Sequence, residues 1–261
     1  MGFSADWLAL REPADHAARD AGLLRQAAVA AGPAPVILDL GCGTGSTVRA
    51  LAPHLPRSTL WRLVDNDPDL LDRAAKAARD GGARAETHAR NLADLDSLPL
   101  EGVTLVTASA LLDLMPEAWL RAFAALLGVP FYAALSYDGR MEWQPEEARD
   151  APVTEAFNRH QRGDKGIGQA LGPDAAPTAA AVFAEAGFDV IRARSDWQLG
   201  PEQAPLQAEL VRGIAAAAEE AGAECAAEWG AARVAAARDA ACMIGHGDML
   251  ALPRDTAQGN I

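Results

Sequence analysis

An α/β fold, with a mostly parallel sheet and helices on both of its faces, is what three features of this 261-residue sequence predict. Short apolar runs alternate with alanine-rich helical stretches along most of the chain. Two of those runs, "PVILDL" and "STLWRLVD", carry an acid at or next to their last position. A glycine-rich stretch, "GCGTG", follows the first of them at once. Strand–helix–strand units at this spacing make right-handed crossovers, and such crossovers lay their strands parallel.

The elements follow in order. Residues 13–31 read as one helix, with Pro13 in its first turn and Gly32 at its end, so that residues 1–34 form an N-terminal helical segment. Residues 35–40 and 58–65 are the first two strands. Asp67 is placed to cap a helix that begins at Pro68 and closes at Gly81. "ARAETHARN" is a weak third strand, residues 102–111 a strong fourth, Pro116 to Leu127 a helix stopped by Gly128, and residues 129–137 a fifth strand. Residues 138–176 then break the rhythm with glycines, prolines and charges, and a connection of that length is expected to be functional or disordered. "PTAAAVFAEAGF" gives a helix and "DVIRARSDW" a sixth strand. Residues 201–240 read as a helical hairpin, with Leu206, Leu210, Ile214 and Ala218 on one stripe of its first arm and Trp229 in its second. "ACMIGHGDMLALP" is the last strand, and "RDTAQGNI" a loose tail. Nothing repeats and no linker divides the chain, so residues 1–261 are expected to form a single domain.

Composition excludes some functions. Half of the residues are hydrophobic, enough for a sizeable core, and the formal net charge of -13 repels phosphate backbones. Nucleic acid is therefore not the expected partner. Three cysteines, Cys42, Cys225 and Cys242, show neither metal-ligand spacing nor a disulfide framework, which suits a reducing cytoplasm and predicts no metal. "MGFSADWLAL" lacks the basic and apolar regions of a signal peptide, and Asp6 stands where a myristoylation signal has Ser or Thr. The longest apolar stretch, "FAALLGVPFYAAL", is too short to span a bilayer and contains Pro130, so no membrane is expected.

The chemistry concentrates at Gly41, Gly43 and Gly45. A glycine loop between a buried strand and a helix lets backbone N–H groups approach a ligand closely. The spacing is G-x-G-x-G, with Ser46 where a dinucleotide fingerprint has its third glycine, and no lysine follows as in a phosphate-binding loop. Asp65 ends the second strand twenty residues after Gly45, where an acid accepts hydrogen bonds from ribose hydroxyls. Asp39, just before the loop, can hold an ammonium group. Together these suit a ligand with a ribose and a positive charge.

"VILDLGCGTGSTVRAL" followed by "LVDNDP" resembles motifs I and II of the class I S-adenosylmethionine-dependent methyltransferases. By motif the resemblance covers roughly residues 35–137, and by element order nearly the whole chain. It implies a Rossmann-like sheet of seven strands whose last strand is antiparallel, and S-adenosyl-L-methionine as cofactor. Carried over, Gly41, Cys42 and Gly43 would line the methionine part, with Asp39 near its amino group. Asp65 would bind the ribose and Asn66 flank the adenine. Asn91, followed by Leu92, stands where the family usually has an acid reading the adenine amino group. Ser109 and Ala110 would face the sulfonium.

The acceptor is less legible, because in-line methyl transfer needs alignment and dryness more than distinctive residues. No Asn-Pro-Pro-Tyr type of motif follows the fourth strand, which reads "SALLDL", and with the negative charge this favours a small-molecule acceptor. Three segments are expected beyond the carboxyl ends of the strands: Trp7 and Arg11, the 138–176 insertion as a lid, and Trp197 after the sixth strand. In the insertion, His160 is the candidate general base, with Arg162 and Lys165 beside it. Tyr137 is a second catalytic candidate, and Asp113, Asp138 and Trp143 are further pocket candidates. Two alternatives stay open here: a non-catalytic S-adenosylmethionine-binding regulator, and an NAD-dependent oxidoreductase, which the glycine spacing argues against.

Overall fold

The computed structural model describes residues 4–254. Its first element departs from the single helix expected over 13–31. Helix α1 (Ala5–Ala18) starts earlier, with Ser4 capping Trp7 N–H at 3.2 Å, and Pro13 lies inside it. Helix α2 (Ala21–Ala30) follows after a break at Arg19 and Asp20. The break has a local cause: the Asp20 carboxylate accepts Leu23 N–H at 2.7 Å and so starts a new helix where the alanine pattern runs on.

Strand β1 (Val36–Leu40), helix α3 (Ser46–Leu51), strand β2 (Leu60–Asp65), helix α4 (Pro68–Asp80) and strand β3 (Arg84–Ala89) form the first half. Asp67 caps α4 through Asp69 N–H and Leu70 N–H, as its place before Pro68 predicted. Strand β4 (Leu105–Ser109), helix α5 (Glu117–Leu126) and strand β5 (Phe131–Gln144) continue the alternation. Helix α6 (Asp150–Gln161), helix α7 (Ala175–Glu185), strands β6 (Phe188–Arg194) and β7 (Trp197–Leu199), helices α8 (Ala204–Glu220) and α9 (Ala226–Ala236), and strand β8 (Ala241–Pro253) complete the described chain. The expected tail lies, apart from Arg254, outside the described residues.

The eight strands run in the order β3-β2-β1-β4-β5-β8-β6, with β7 also paired to β8. Strands β3, β2, β1, β4 and β5 are mutually parallel, and β8 pairs antiparallel with β5, β6 and β7. The reversed last strand matches the expectation. The eighth strand is β7: Trp197, read as the end of the sixth strand, belongs to a short strand of its own because Ser195 and Asp196 interrupt the ladder.

The 138–176 insertion is also smaller than expected. Strand β5 runs on past Tyr137 to Gln144, pairing Met141 with Ile244 and Trp143 with Cys242 of the equally long β8. The sequence hides this extension because "DGRMEWQ" is charged, whereas its ladder partner is apolar. What remains of the insertion is α6, which packs against β5 and α8, with turns on either side of it.

Three apolar clusters hold the layers together. One lies between the sheet and α5 and α7, around Phe123, Phe131 and Phe183. A second lies on the opposite face, under α2 and α4, around Trp61 and Leu63. A third joins the far halves of β5 and β8 to α6, α8 and α9 around Trp143 and Trp229. Buried apolar surface contributes roughly 25 cal/mol per Å². The third cluster therefore fixes α6 and α8 as a cap beyond the carboxyl ends of the parallel strands.

Candidate active site

Strand order reverses between β1 and β4, and in open α/β sheets the crevice at such a point receives the ligand. The glycine loop leaves β1 here. Gly41 has φ +62°, and a Cβ on it would stand 3.4 Å from Leu111 Cδ1, so the loop passes tightly beside the end of β4. Gly45 serves a different purpose: at φ +87°, a Cβ there would stand 3.0 Å from Ala74 Cα, so it lets α3 approach α4 rather than a ligand. Cys42 is a core residue, 6% exposed, whose thiol is pushed up by burial.

A cavity of about 840 Å³ opens from Gly41. Asp65, Asn66, Arg90, Asn91 and Leu92 form its polar end, at the carboxyl ends of β2 and β3. Asp65 accepts Gly43 N–H at 2.9 Å and Asp67 N–H at 3.1 Å, so it ties the glycine loop to β2. Asn91 Oδ1 accepts Ala93 N–H at 2.9 Å, and Leu92 offers its carbonyl to Trp119 Nε1 at 2.6 Å. Trp7, His160 and Lys165 line the same cavity. Thus the geometry joins Gly41, Asp65, Asn66, Asn91 and Leu92 to three of the residues expected around an acceptor.

The other expected residues lie elsewhere. Tyr137 is 7% exposed, donates to Asn158 Oδ1 at 2.7 Å, and has its pKa raised by burial, so it is poorly placed as a base. Asp138 pairs with Arg140, which also pairs with Asp196 at 2.6 Å. Arg162 pairs with Asp174 at 2.8 Å on the surface. Trp143 packs edge-on against Trp229, with the Arg233 guanidinium over its ring, in the third cluster. Trp197 is 2% exposed and donates Nε1–H to Asp15, which also holds Arg11 at 2.9 Å. Arg11 in turn stacks 4.9 Å from the Trp197 ring centre. These corrections share a cause: charged and aromatic residues in a short stretch look like a pocket, but here they find one another.

Beside the loop lies a buried charged group. Asp39 is fully buried, its Oδ1 accepts from Thr107 at 2.8 Å, and its Oδ2 has no partner among the described residues. Burial pushes its pKa up to about 7, although Thr107 and the nearby Arg19 charge oppose the rise. Arg19 is 6% exposed. It donates from Nη2 to Ser109 Oγ at 2.9 Å, while Nε and Nη1 have no partner among the described residues. Sequence reading misses Arg19 because it takes it for one surface position of a continuous helix; the signal is Asp20 beside it, a good N-cap residue. Ala110, at φ +49°, donates its N–H to Ala134 O at 2.9 Å and so fixes the end of β4 against β5.

Two ionisable side chains stand further out. Asp113, in the single 3₁₀ turn Leu112–Leu114, has an enclosed, unpartnered Oδ1 and a pKa pushed up by burial to about 6, against the fields of Arg11 and Lys165. His160 Nε2 lies 3.0 Å from Glu220 Oε2, and Nδ1 is enclosed without a partner among the described residues. Among the described residues no cluster of His, Cys, Asp and Glu could hold a metal ion, and no helix is long and apolar enough to cross a membrane.

Residues 37–129 match the family model described as "Methyltransferase domain". No curated protein sequence matches the chain. Among solved structures, the chain is similar to a Bacillus halodurans C-125 protein at TM-score 0.55 and 16% identity, over 90% of this chain and 99% of that one. It is similar to YcgJ from Bacillus subtilis at TM-score 0.52 and 14% identity, over 90% and 97%. It also resembles a SAM-dependent methyltransferase from Geobacter sulfurreducens, solved with S-adenosyl-L-homocysteine, at TM-score 0.51 and 15% identity, over 97% and 100%. At these identities the structures speak for the fold. The family match spans the glycine loop and Asp65, so residues 37–129 of this chain are similar to a methyltransferase domain.

Proposed function

We propose that the enzyme methylates a small molecule, and that Asp39 and Arg19 hold the amino-acid end of S-adenosylmethionine while Asp65, Asn66, Asn91 and Leu92 hold its adenosine. The observation that carries the cofactor placement is a buried pair of opposite charge near the strand switch, with Asp39 Oδ2 and Arg19 Nε and Nη1 each without a hydrogen-bond partner among the described residues. A buried ion without a partner is costly, and an α-amino acid carries an ammonium and a carboxylate on one carbon. The two sites thus fit its two charges. Ser109, at the end of β4, accepts a hydrogen bond from Arg19 Nη2 and holds it in place.

Bound there, the cofactor supplies an electrophilic methyl group on a sulfonium. The chain's own contribution is to orient both partners and to exclude water, and Trp7 of α1 and the α6–α8 cap close the cavity for that purpose. Where the acceptor must lose a proton, we assign its removal to His160, which lines the cavity, rather than to Asp113, which does not. His160 Nδ1 is enclosed without a partner among the described residues while Nε2 lies 3.0 Å from Glu220 Oε2, whereas Asp113 is buried away from the cavity, and burial pushes its carboxyl up to about 6. The net charge of -13 supports a small-molecule acceptor over nucleic acid, and the three free cysteines support a cytoplasmic location. The test is calorimetric titration with S-adenosyl-L-homocysteine and with NAD, followed by turnover of a metabolite panel with labelled methyl donor. Micromolar binding of the first, none of NAD, and label transfer to a small molecule are expected. Cofactor binding without any transfer would favour a regulatory protein.

A further inference from the structure

Beyond the polar end, the cavity wall changes character. Helix α8 presents Leu210, Gly213, Ile214 and Ala217 to it, and Phe157 of α6 faces them. Gly213 is the informative member. It sits inside a 17-residue helix, where glycine is destabilising by roughly 0.5–1 kcal/mol relative to alanine. A Cβ at Gly213 would meet nothing within 4 Å. Gly213 is exposed, so no protein packing requires the glycine, and it leaves the rim of the apolar half of the cavity open.

The charge facing this half is Lys165. Its Nζ has no carboxylate within 4.0 Å among the described residues and touches only the His160 carbonyl, at 3.3 Å. Asp113 and Glu220 act on it only as distant fields. The other acid on this wall, Glu209, is paired with Arg212 at 2.9 Å, and the remaining cation, Arg90, lies at the adenosine end. Lys165 is also held in place. Asp164 Oδ1 accepts Gly166 N–H at 2.7 Å and Gly168 N–H at 3.0 Å, which folds the Asp164–Gly168 turn on itself and points the lysine inward. A single ammonium balances the one charge of a carboxylate, whereas a phosphate monoester carries about −1.5 to −2 and would be left undercompensated on this wall.

We propose that the acceptor compartment binds apolar carboxylic acids, with the hydrocarbon body against Gly213 of α8 and the carboxylate on Lys165 Nζ. This rests on the reading that the polar end holds the cofactor. The probes are 3-phenylpropanoate, its amide and 3-phenylpropylamine, titrated calorimetrically into the full-length protein, alone and saturated with S-adenosyl-L-homocysteine. The acid should bind at least tenfold more tightly than the amide and the amine. Lys165→Met should erase that preference, and Gly213→Leu should weaken acid and amide alike by tenfold or more. Both variants should bind S-adenosyl-L-homocysteine within twofold of the parent, which also shows that they fold. An acid that does not bind, or binds no better than its amide, or keeps its preference in Lys165→Met, overturns the proposal. Failure of S-adenosyl-L-homocysteine itself to bind would instead overturn the cofactor placement, and the titrations without it would still judge the compartment.

Discussion

Arg19 Nη2 donates to Ser109 Oγ at 2.9 Å, so the break between the first two helices reaches the end of β4. The contact joins segments 90 residues apart and carries a cation to within the field of Asp39. It gives the N-terminal helices a direct part in the site.

Arg19→Met should separate the amino-acid end of the cofactor from the rest. A hydrogen bond to a charged group is worth about 1.5–3 kcal/mol, so affinity for S-adenosyl-L-homocysteine should fall by about ten- to a hundred-fold. Affinity for 5′-deoxy-5′-methylthioadenosine, which has the adenosine but no amino-acid end, should not change. Equal losses for both ligands would mean that Arg19 only shapes the site.

Asp39 makes binding depend on pH. Burial raises its pKa to about 7, above its unfolded value, so the folded protein takes up a proton between about pH 4 and 7 that the unfolded chain has lost. The ligand-free protein therefore loses stability from this group as pH rises through that window. Binding an ammonium requires the ionised form, so affinity for S-adenosyl-L-homocysteine should rise from pH 6 to pH 8, with proton release visible as a buffer-dependent heat. Asp39→Asn should abolish the release and stabilise the ligand-free protein at pH 8 relative to pH 5.

The parts of this site that can be read in the sequence are those where one residue type has one physical reason. Three glycines after a buried strand, an acid closing the next strand, and Asp67 before Pro68 each follow from a single local cause, and they locate the loop, Asp65 and α4. Arg19 is illegible because its role depends on a helix break that alanine conceals. The extension of β5 is illegible because "DGRMEWQ" gains its strand character from β8, a partner about a hundred residues away. Trp143, Trp197 and Arg11 look like pocket residues in sequence, whereas in the fold their side chains are stacked against aromatic and cationic neighbours. Sequence shows which groups are chemically able; burial decides which of them remain free.

Asp65 braces the glycine loop and is the proposed ribose acceptor, and its variants should separate the two roles. Asp65→Ala loses the ribose acceptor and also the bond from Gly43 N–H, so affinity for S-adenosyl-L-homocysteine should fall by about ten- to a hundred-fold. Asp65→Asn can keep one neutral acceptor for Gly43 N–H and should lose less, because a charged acceptor bonds about twice as strongly. Calorimetry on both variants checks the order. Unchanged affinity in a folded Asp65→Ala protein would leave Asp65 as a brace for the loop alone.

The cap depends on a buried ion pair remote from the chemistry. Asp150, at the start of α6, receives Arg233 of α9 at 2.5 Å and Trp229 Nε1–H at 2.8 Å. Arg233 is 5% exposed and also donates to the Pro145 carbonyl at 2.7 Å. Removing the acid leaves a guanidinium buried with only the Pro145 carbonyl and the Trp143 ring to answer it, and breaking such a pair from one side costs about 3–5 kcal/mol. Asp150→Ala should therefore lower the stability measured by urea denaturation by several kcal/mol. The double variant Asp150→Ala, Arg233→Met should recover most of that loss, because no buried charge is left. Since Asp150 anchors α6 and not the loop at β1, the folded fraction of the single variant should still bind S-adenosyl-L-homocysteine nearly as well as the parent. If the single variant is as stable as the parent, the pair is exchanging with water and does not anchor the cap.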